Sequence, residues 1–283
     1  AHTIPRYDRG RTIRRREQGE MATSAENLGP PWTVLKLLEW SKGFFEGRGI
    51  DSARLDAELL LADVLEVDRV RLYTEFDRPL MPEELAEYRA LVKRRANREP
   101  VAYLVGSRGF WTLDIATDTR ALVPRPDTEV LVEEALERLG ESGRVLDVGT
   151  GTGAIALAIA SERPGCEVHA SDISADALAL AAENSAQLQI AIELHESDLL
   201  EAVEGQFDMI VSNPPYVAEG AEVDPETQRE PQRALFAGAD GLDVIRQLIP
   251  AAAMQLVPGG WLMVEMGYDQ ATISTSVAMY GPC

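Results

Sequence analysis

Val145-Leu146-Asp147-Val148-Gly149-Thr150-Gly151-Thr152-Gly153-Ala154 reads as a strand, a glycine-rich turn and the start of a helix. Glycines in that context let the backbone turn sharply and approach a ligand closely, so the stretch predicts a nucleotide-like ligand at a strand-to-helix junction. The spacing is Gly-x-Gly-x-Gly, and such a loop alone is a weak signal. Asp172 adds to it, because it ends the next predicted strand at the distance where an acid accepts hydrogen bonds from ribose hydroxyls. Asp198 follows the third strand and suits an adenine amino group. The plainer alternatives are a tight turn for the glycines and a cap for the helix near Ser174. NAD and S-adenosylmethionine both present adenosine, and at this point both fit.

Outward from the loop, strand-like and helix-like segments alternate. Helices are expected at 128–139, 155–161, 175–186 and 244–256, and strands at 145–148, 168–171, 190–195, 209–212 and 261–265. That alternation implies a parallel sheet covered on both faces. Upstream, from Trp32 to about Arg98, apolar residues recur at helical spacing, which predicts a small all-helical domain. Between the two, Phe110 to Ile115 alternates like a strand, Asp118-Thr119 marks a turn and Ala121 to Val123 can return, so a β-hairpin is expected there. The resulting division is a basic tail at 1–20, disordered or non-native, a helical domain at 21–105, a hairpin linker at 106–127 and an α/β domain at 128–283.

Asn213-Pro214-Pro215-Tyr216 follows the apolar strand Met209-Ile210-Val211, at the carboxyl end of the sheet where open α/β folds bind ligands. Asn213 has a side-chain carbonyl, and the prolines have carbonyls without N–H donors, so the turn can accept both hydrogens of an NH2 group while Tyr216 stacks on its plane. An amide nitrogen is a poor nucleophile, and holding it in line with a methyl donor is the main service available to it. Fixed acceptors also favour the positive charge that develops on nitrogen. The plain reading is a rigid turn that stops a strand. His2, His169 and His195 are scattered without ligand-like spacing, so no metal and no catalytic histidine is expected.

The formal charge of -20 disfavours a grip on phosphate backbone. The first twenty residues carry six Arg against three acids and stand apart. They lack the apolar core of a signal peptide, and no apolar run is long enough to span a bilayer. With only Cys166 and Cys283, a soluble protein of a reducing, cytoplasmic compartment is expected. Lys93-Arg94-Arg95 with Arg98 is the one basic cluster outside the tail, read as a solvated helix end with Arg94 and Arg98 on one face.

Over roughly Asp51 to Gly267 the chain resembles the HemK/PrmC family of peptide-release-factor glutamine N5-methyltransferases. The resemblance rests on Glu99-Pro100-Val101-Ala102-Tyr103-Leu104-Val105-Gly106, on Phe110-Trp111, on Leu122 to Glu129, and on Glu230-Pro231 running into Ala234 to Asp243, besides the two loops above. It implies a class I (Rossmann-like) methyltransferase sheet with a small N-terminal helical domain. It further implies S-adenosylmethionine held by Gly149, Thr150, Gly151, Thr152, Gly153, Asp172, Asp198, Leu199 and Asn213. The catalytic and substrate-binding set would be Asn213, Pro214, Pro215 and Tyr216, with Phe110 as a wall. Arg125 and Glu129 would be structural, tying hairpin to sheet. The implied substrate is the Gln of the Gly-Gly-Gln loop of class 1 release factors, gripped in part by the helical domain. Rival substrates are a ribosomal-protein glutamine and an exocyclic base amine, and the non-enzyme alternative is a cofactor-binding module without turnover. Family members continue past the fifth strand into further elements, for which Tyr268 to Cys283 leaves little room. A chain lacking its last strands, with an exposed apolar edge at Trp261 to Glu265 and reduced stability, is therefore expected.

Overall fold

The computed structural model describes residues 31–268 and residue 270, which fall into two compact units divided after Val105. The sequence expectations for residues 1–20 and for the end of the chain lie outside the described residues.

The first unit is helical: α1 (Val34–Glu46), α2 (Ala53–Leu65), α3 (Arg69–Thr74), α4 (Pro82–Ala96) and α5 (Val101–Val105). Leu37, Leu38, Phe45, Leu60, Leu61 and Tyr88 fill its centre. Local chemistry sets the helix starts: Asp68 Oδ1 accepts from Arg71 N at 2.9 Å, and Pro82 opens α4 while Glu84 takes the Met81 N–H at 2.8 Å. Inside the unit Arg95 donates to Asp56 at 2.6 Å, both side chains at most 5% exposed. The three arginines of the basic cluster are paired within the unit, while Lys93 is exposed. Arg94 pairs with Glu99, and Arg98 lies beyond the helix with φ 66°, donating to the carbonyls of Arg48 and Gly49. Arg94 and Arg98 therefore do not share a helix face, because α4 stops at Ala96.

The second unit opens with a hairpin, β1 (Ser107–Phe110) and β2 (Leu113–Ala116), in register Phe110 to Leu113. Its turn is Trp111-Thr112 and not Asp118-Thr119. Trp111 takes φ 56°, and its N–H is held by Glu129 Oε1 at 3.0 Å, so the structural role expected of Glu129 is to hold the hairpin turn against the helix Thr128–Arg138. Asp118 does make a local turn, accepting from Arg120 N at 2.9 Å, but Ala121 to Val123 follows as a loop.

Then come α6 (Thr128–Arg138), β3 (Gly143–Val148), α7 (Ala154–Glu162), β4 (Cys166–Asp172), α8 (Ala175–Leu188), β5 (Glu193–Glu196), β6 (Phe207–Ser212), α9 (Asp243–Gln255) and β7 (Leu256–Val264). The five strands β5-β4-β3-β6-β7 form one parallel sheet, the α/β architecture expected. On one face Val145, Val168, Ala170, Met209 and Val211 meet α6 and α7, and on the other Leu146, Val148 and Ile210 meet Leu248 and Ala252 of α9. Both faces of the central strands are thus buried, which is why those strands are continuous apolar runs. β5 starts later than expected because Gln189 closes α8 at φ 57° and Ser185 Oγ donates to the Ile190 carbonyl at 2.6 Å. β7 starts earlier, at Leu256, with an irregular register opposite Phe207 to Met209.

Candidate active site

β3 ends at Val148, and the chain turns through Gly149 (φ 74°), Gly151 (φ 57°) and Gly153 (φ 83°) into α7. The turn is tied to the neighbouring strand: Gly149 N and Thr150 N both donate to the Ser171 carbonyl, at 2.8 and 2.9 Å. Asp172 anchors it from the side, with Oδ2 accepting from Gly151 N and Oδ1 from Ser174 N, each at 2.9 Å. The helix cap itself is Ser174, whose Oγ takes the Ala177 N–H. Asp172 is thus a bracket between loop and helix start, and its carboxylate keeps lone pairs for further donors.

Asp147 lies beneath the loop, fully buried, accepting from Thr150 Oγ1 at 2.6 Å and Ala156 N at 3.3 Å. Burial, assisted by the charge of Asp172, pushes its carboxyl up to about 7.

A cavity of about 560 Å³ opens over these strand ends. Its wall brings together Gly149, Thr150, Gly151, Thr152, Asp172, Asp198, Leu199, Asn213, Pro214, Pro215 and Phe110. Phe110 reaches it from the end of β1 and is 1% exposed. Leu199 adopts φ 49°, and its carbonyl accepts from Ser171 Oγ at 3.1 Å, so the wall after β5 is held by β4. Asn213 follows β6, whose Ser212 Oγ donates to the Val148 carbonyl at 2.7 Å. The Asn213 Nδ2 donates to Thr128 Oγ1 at 2.9 Å, which leaves Oδ1 as the acceptor end of the amide.

Two expected residues fall outside the wall. Gly153 faces Ala181 and Leu157, where an added Cβ would come within 3.2 Å, so its role is packing of α7. Tyr216 is half-buried and its hydroxyl donates to Glu265 Oε1 at 3.3 Å, while its carbonyl accepts from Gln270 Nε2 at 2.9 Å. It is not part of the cavity wall, and its two polar ends are taken by Glu265, just past β7, and by Gln270. Burial, and then the Glu265 carboxylate, raises the phenol above its ordinary range.

Other wall residues carried little signal in the sequence. Residues 214–242 form a long irregular excursion that returns Pro231, Arg233, Ala234 and Phe236 to the cavity. Val217 bridges Phe236, and Gly241 passes so close to the Tyr216 carbonyl that a Cβ would lie 2.2 Å from it, so this position needs glycine. Glu230, 3% exposed, accepts from Val123 N at 2.9 Å and from Arg125 Nη2 at 2.5 Å. Arg125 therefore ties the 121–125 loop to the excursion, not the hairpin to the sheet, and Glu129 ties the hairpin turn to α6. The pairing partners of Glu230 lie about a hundred positions away, which no local pattern discloses.

His169 and His195, distant in the chain, are brought side by side by the parallel pairing of β4 with β5, with His169 Nδ1 2.9 Å from His195 Nε2. His2 lies outside the described residues. Neither described histidine lines the cavity.

Strand order, glycine turn and the Asn213-Pro214-Pro215 turn around one cavity define a methyltransferase of the parallel-sheet class. Two family descriptions match the chain, PrmC N-terminal domain over residues 36–106 and Methyltransferase small domain over residues 126–272. The release factor glutamine methyltransferase of Geobacter sulfurreducens is 47% identical over 85% of this chain and 86% of its own length. That of Rhodopirellula baltica is 44% identical over 88% of each, and that of Xylella fastidiosa strain 9a5c is 50% identical over 77% and 81%. The chain belongs to the family of release factor glutamine methyltransferases. Among solved structures it is similar to a ribosomal protein L11 methylase from Lactobacillus delbrueckii subsp. bulgaricus, 26% identical over 61% of this chain and 78% of that one, with a TM-score of 0.42. Among the described residues no helix is long and apolar enough to cross a membrane.

Proposed function

We propose that the chain methylates the side-chain nitrogen of the Gly-Gly-Gln glutamine of class 1 peptide chain release factors, using S-adenosylmethionine. The observation that carries this reading is one cavity whose wall holds both the glycine turn with Asp172 and the acceptor-rich Asn213-Pro214-Pro215 turn.

The wall fits the cofactor. An added Cβ at Gly149 would meet no protein atom within 4 Å although the residue lines the cavity, so the turn leaves that space to a ligand. Gly149 to Thr152 would approach its amino-acid and ribose portion, Asp172 would accept from the ribose hydroxyls, and Asp198 with Leu199 would flank the base. When bound, S-adenosylmethionine supplies an electrophilic sulfonium methyl group.

The remaining work falls to the chain. Asn213, its Nδ2 held by Thr128, offers Oδ1 to one N–H of the glutamine amide, and the Pro214 carbonyl suits the other. Two fixed acceptors orient the nitrogen for in-line attack and favour the positive charge that grows on it. Phe110 excludes water from one side. Tyr216 anchors the turn through Glu265 and Gln270 instead of stacking on the substrate. The helical unit would help grip the release factor, and the site of action would be cytoplasmic. With Arg94, Arg95 and Arg98 engaged inside the unit, a nucleic-acid substrate is disfavoured.

The test is methyl transfer from labelled S-adenosylmethionine to a purified release factor, beside a copy whose Gly-Gly-Gln glutamine is changed and beside total nucleic acid. Label on the intact release factor alone supports the proposal. Label on nucleic acid, or on the changed release factor equally, refutes it.

A further inference from the structure

Two Glu-x-His tripeptides, Glu167-Val168-His169 and Glu193-Leu194-His195, lie on adjacent parallel strands. Residues two apart on a strand share a face, and the register sets His169 opposite Glu193 and His195 opposite Ser171. Four ligand-type side chains therefore stand on one face, toward the β5 edge of the sheet among the described residues.

The geometry is that of a coordination site. His169 Nδ1 and His195 Nε2 are 2.9 Å apart, and the Glu193 carboxylate lies 3.7 Å from the first and 3.6 Å from the second. Ligands around a tetrahedral ion with bonds of roughly 2.0–2.2 Å stand roughly 3.3–3.5 Å apart, so the triangle closes on such an ion after the two nitrogens part by a few tenths of an ångström. A fourth, solvent-facing position is available, because Glu193 is 61% and His195 20% exposed while His169 is buried.

The other face of His169 supports the same reading. Its Nε2 is 2.8 Å from Glu167 Oε1, the carboxylate–histidine arrangement that fixes a proton on the outer nitrogen and turns the inner lone pair toward a metal. Arg144 Nη2 also lies 3.1 Å from that Nε2, and Arg144 Nε 3.3 Å from Glu167 Oε2. The carboxylate contact is the shorter and the charged acceptor the stronger partner, which favours the proton on Nε2 and turns the Nδ1 lone pair toward His195 and Glu193.

We propose that His169, His195 and Glu193 bind a divalent transition-metal ion of the zinc class, with Glu167 orienting His169, as a clip between β4 and the short strand β5. None of the four lines the cavity, so the ion is structural. Its influence on the site runs through Ser197, Asp198 and Leu199, which follow β5 directly and do line it.

The experiment uses the full chain, free of any affinity tag and carrying Cys166→Ser and Cys283→Ser so that thiolates contribute nothing. Zn²⁺ is titrated by calorimetry and Co²⁺ by visible absorption, with thermal melts at each point. Expected are one saturable ion per chain, a tetrahedral Co²⁺ spectrum and a melting temperature that rises with Zn²⁺. His195→Gln and Glu193→Gln, at positions open to solvent, should abolish the spectrum, and Glu167→Gln should weaken affinity by about 10–100-fold. Absence of saturable binding overturns the proposal and leaves an N–H···N pair between the histidines. Binding that is equally strong in His195→Gln and Glu193→Gln places the ion elsewhere and overturns it too.

Discussion

Removing the Glu230 carboxylate should loosen the cavity from outside the chemistry. In the folded chain one oxygen takes the Val123 N–H and the other takes Arg125, and the side chain is 1% exposed. Glu230→Ala strips the buried amide of its acceptor, a loss of about 1–3 kcal/mol. It also removes a charge-assisted bond to Arg125, which at 36% exposure can turn to water, so this part adds only about 1 kcal/mol. The expected destabilisation is about 2–4 kcal/mol in all, a large part of the stability of an ordinary domain. Glu230→Gln keeps an acceptor for Val123 and should cost about 1 kcal/mol. Urea unfolding followed by circular dichroism measures both, with an unchanged m-value certifying that only stability moved. Because Ala121 to Arg125 line the cavity, S-adenosylmethionine affinity should fall in the same order, Ala below Gln below the unaltered chain. A Glu230→Ala cost under about 0.5 kcal/mol, the range of ordinary surface changes, would show that the latch does not hold the loop.

Thr128→Val removes the partner of Asn213 Nδ2, so the amide loses its fixed orientation; kcat should drop about tenfold or more for a loss of about 1.4 kcal/mol, while circular dichroism stays that of a folded chain. Gly149→Val places a branched side chain at φ 74° in the space left to the ligand, and S-adenosylmethionine binding should vanish while circular dichroism stays that of a folded chain. Asp147 has a carboxyl raised from 3.8 to about 7 by burial, so the folded state binds the extra proton. Its stability contribution is complete below about pH 4 and is lost as pH rises to about 7, by up to roughly 4 kcal/mol at 1.36 kcal/mol per unit. Asp147→Asn should flatten that slope between pH 4 and 7, and an identical slope in urea titrations of the variant would exclude Asp147 as its source.

Much of this fold lies open in the sequence because its signals are local. The apolar runs Val145 to Val148 and Met209 to Ser212 become the buried central strands, and the glycine turn needs only its own backbone and the strand beside it. Asn213, Pro214 and Pro215 reach the cavity for the same reason, since a turn that ends a central parallel strand opens at the carboxyl edge of the sheet. What pattern reading misplaces depends on partners far along the chain. The hairpin turn moves to Trp111 because Glu129 waits for its N–H, and Ala121 to Val123 fails to become a strand because Glu230 claims its amide. The Tyr216 hydroxyl is taken by Glu265, which lies just past β7 and far along the chain. The histidines look unrelated until strand register is known, although the repeated Glu-x-His was a visible clue.

The excursion of residues 214–242 has a kinetic consequence. The sheet joins strand–helix repeats that are neighbours in the chain except where β6 returns to pair with β3, and the cavity wall adds Val123 meeting Glu230 and Thr128 meeting Asn213, pairs 107 and 85 positions apart. Closing loops of that length is slow compared with forming local contacts, so the strand–turn–helix unit around Gly149 to Gly153 can form before the wall that needs Glu230 and Asn213. The cavity wall is then complete only once those distant pairs have closed.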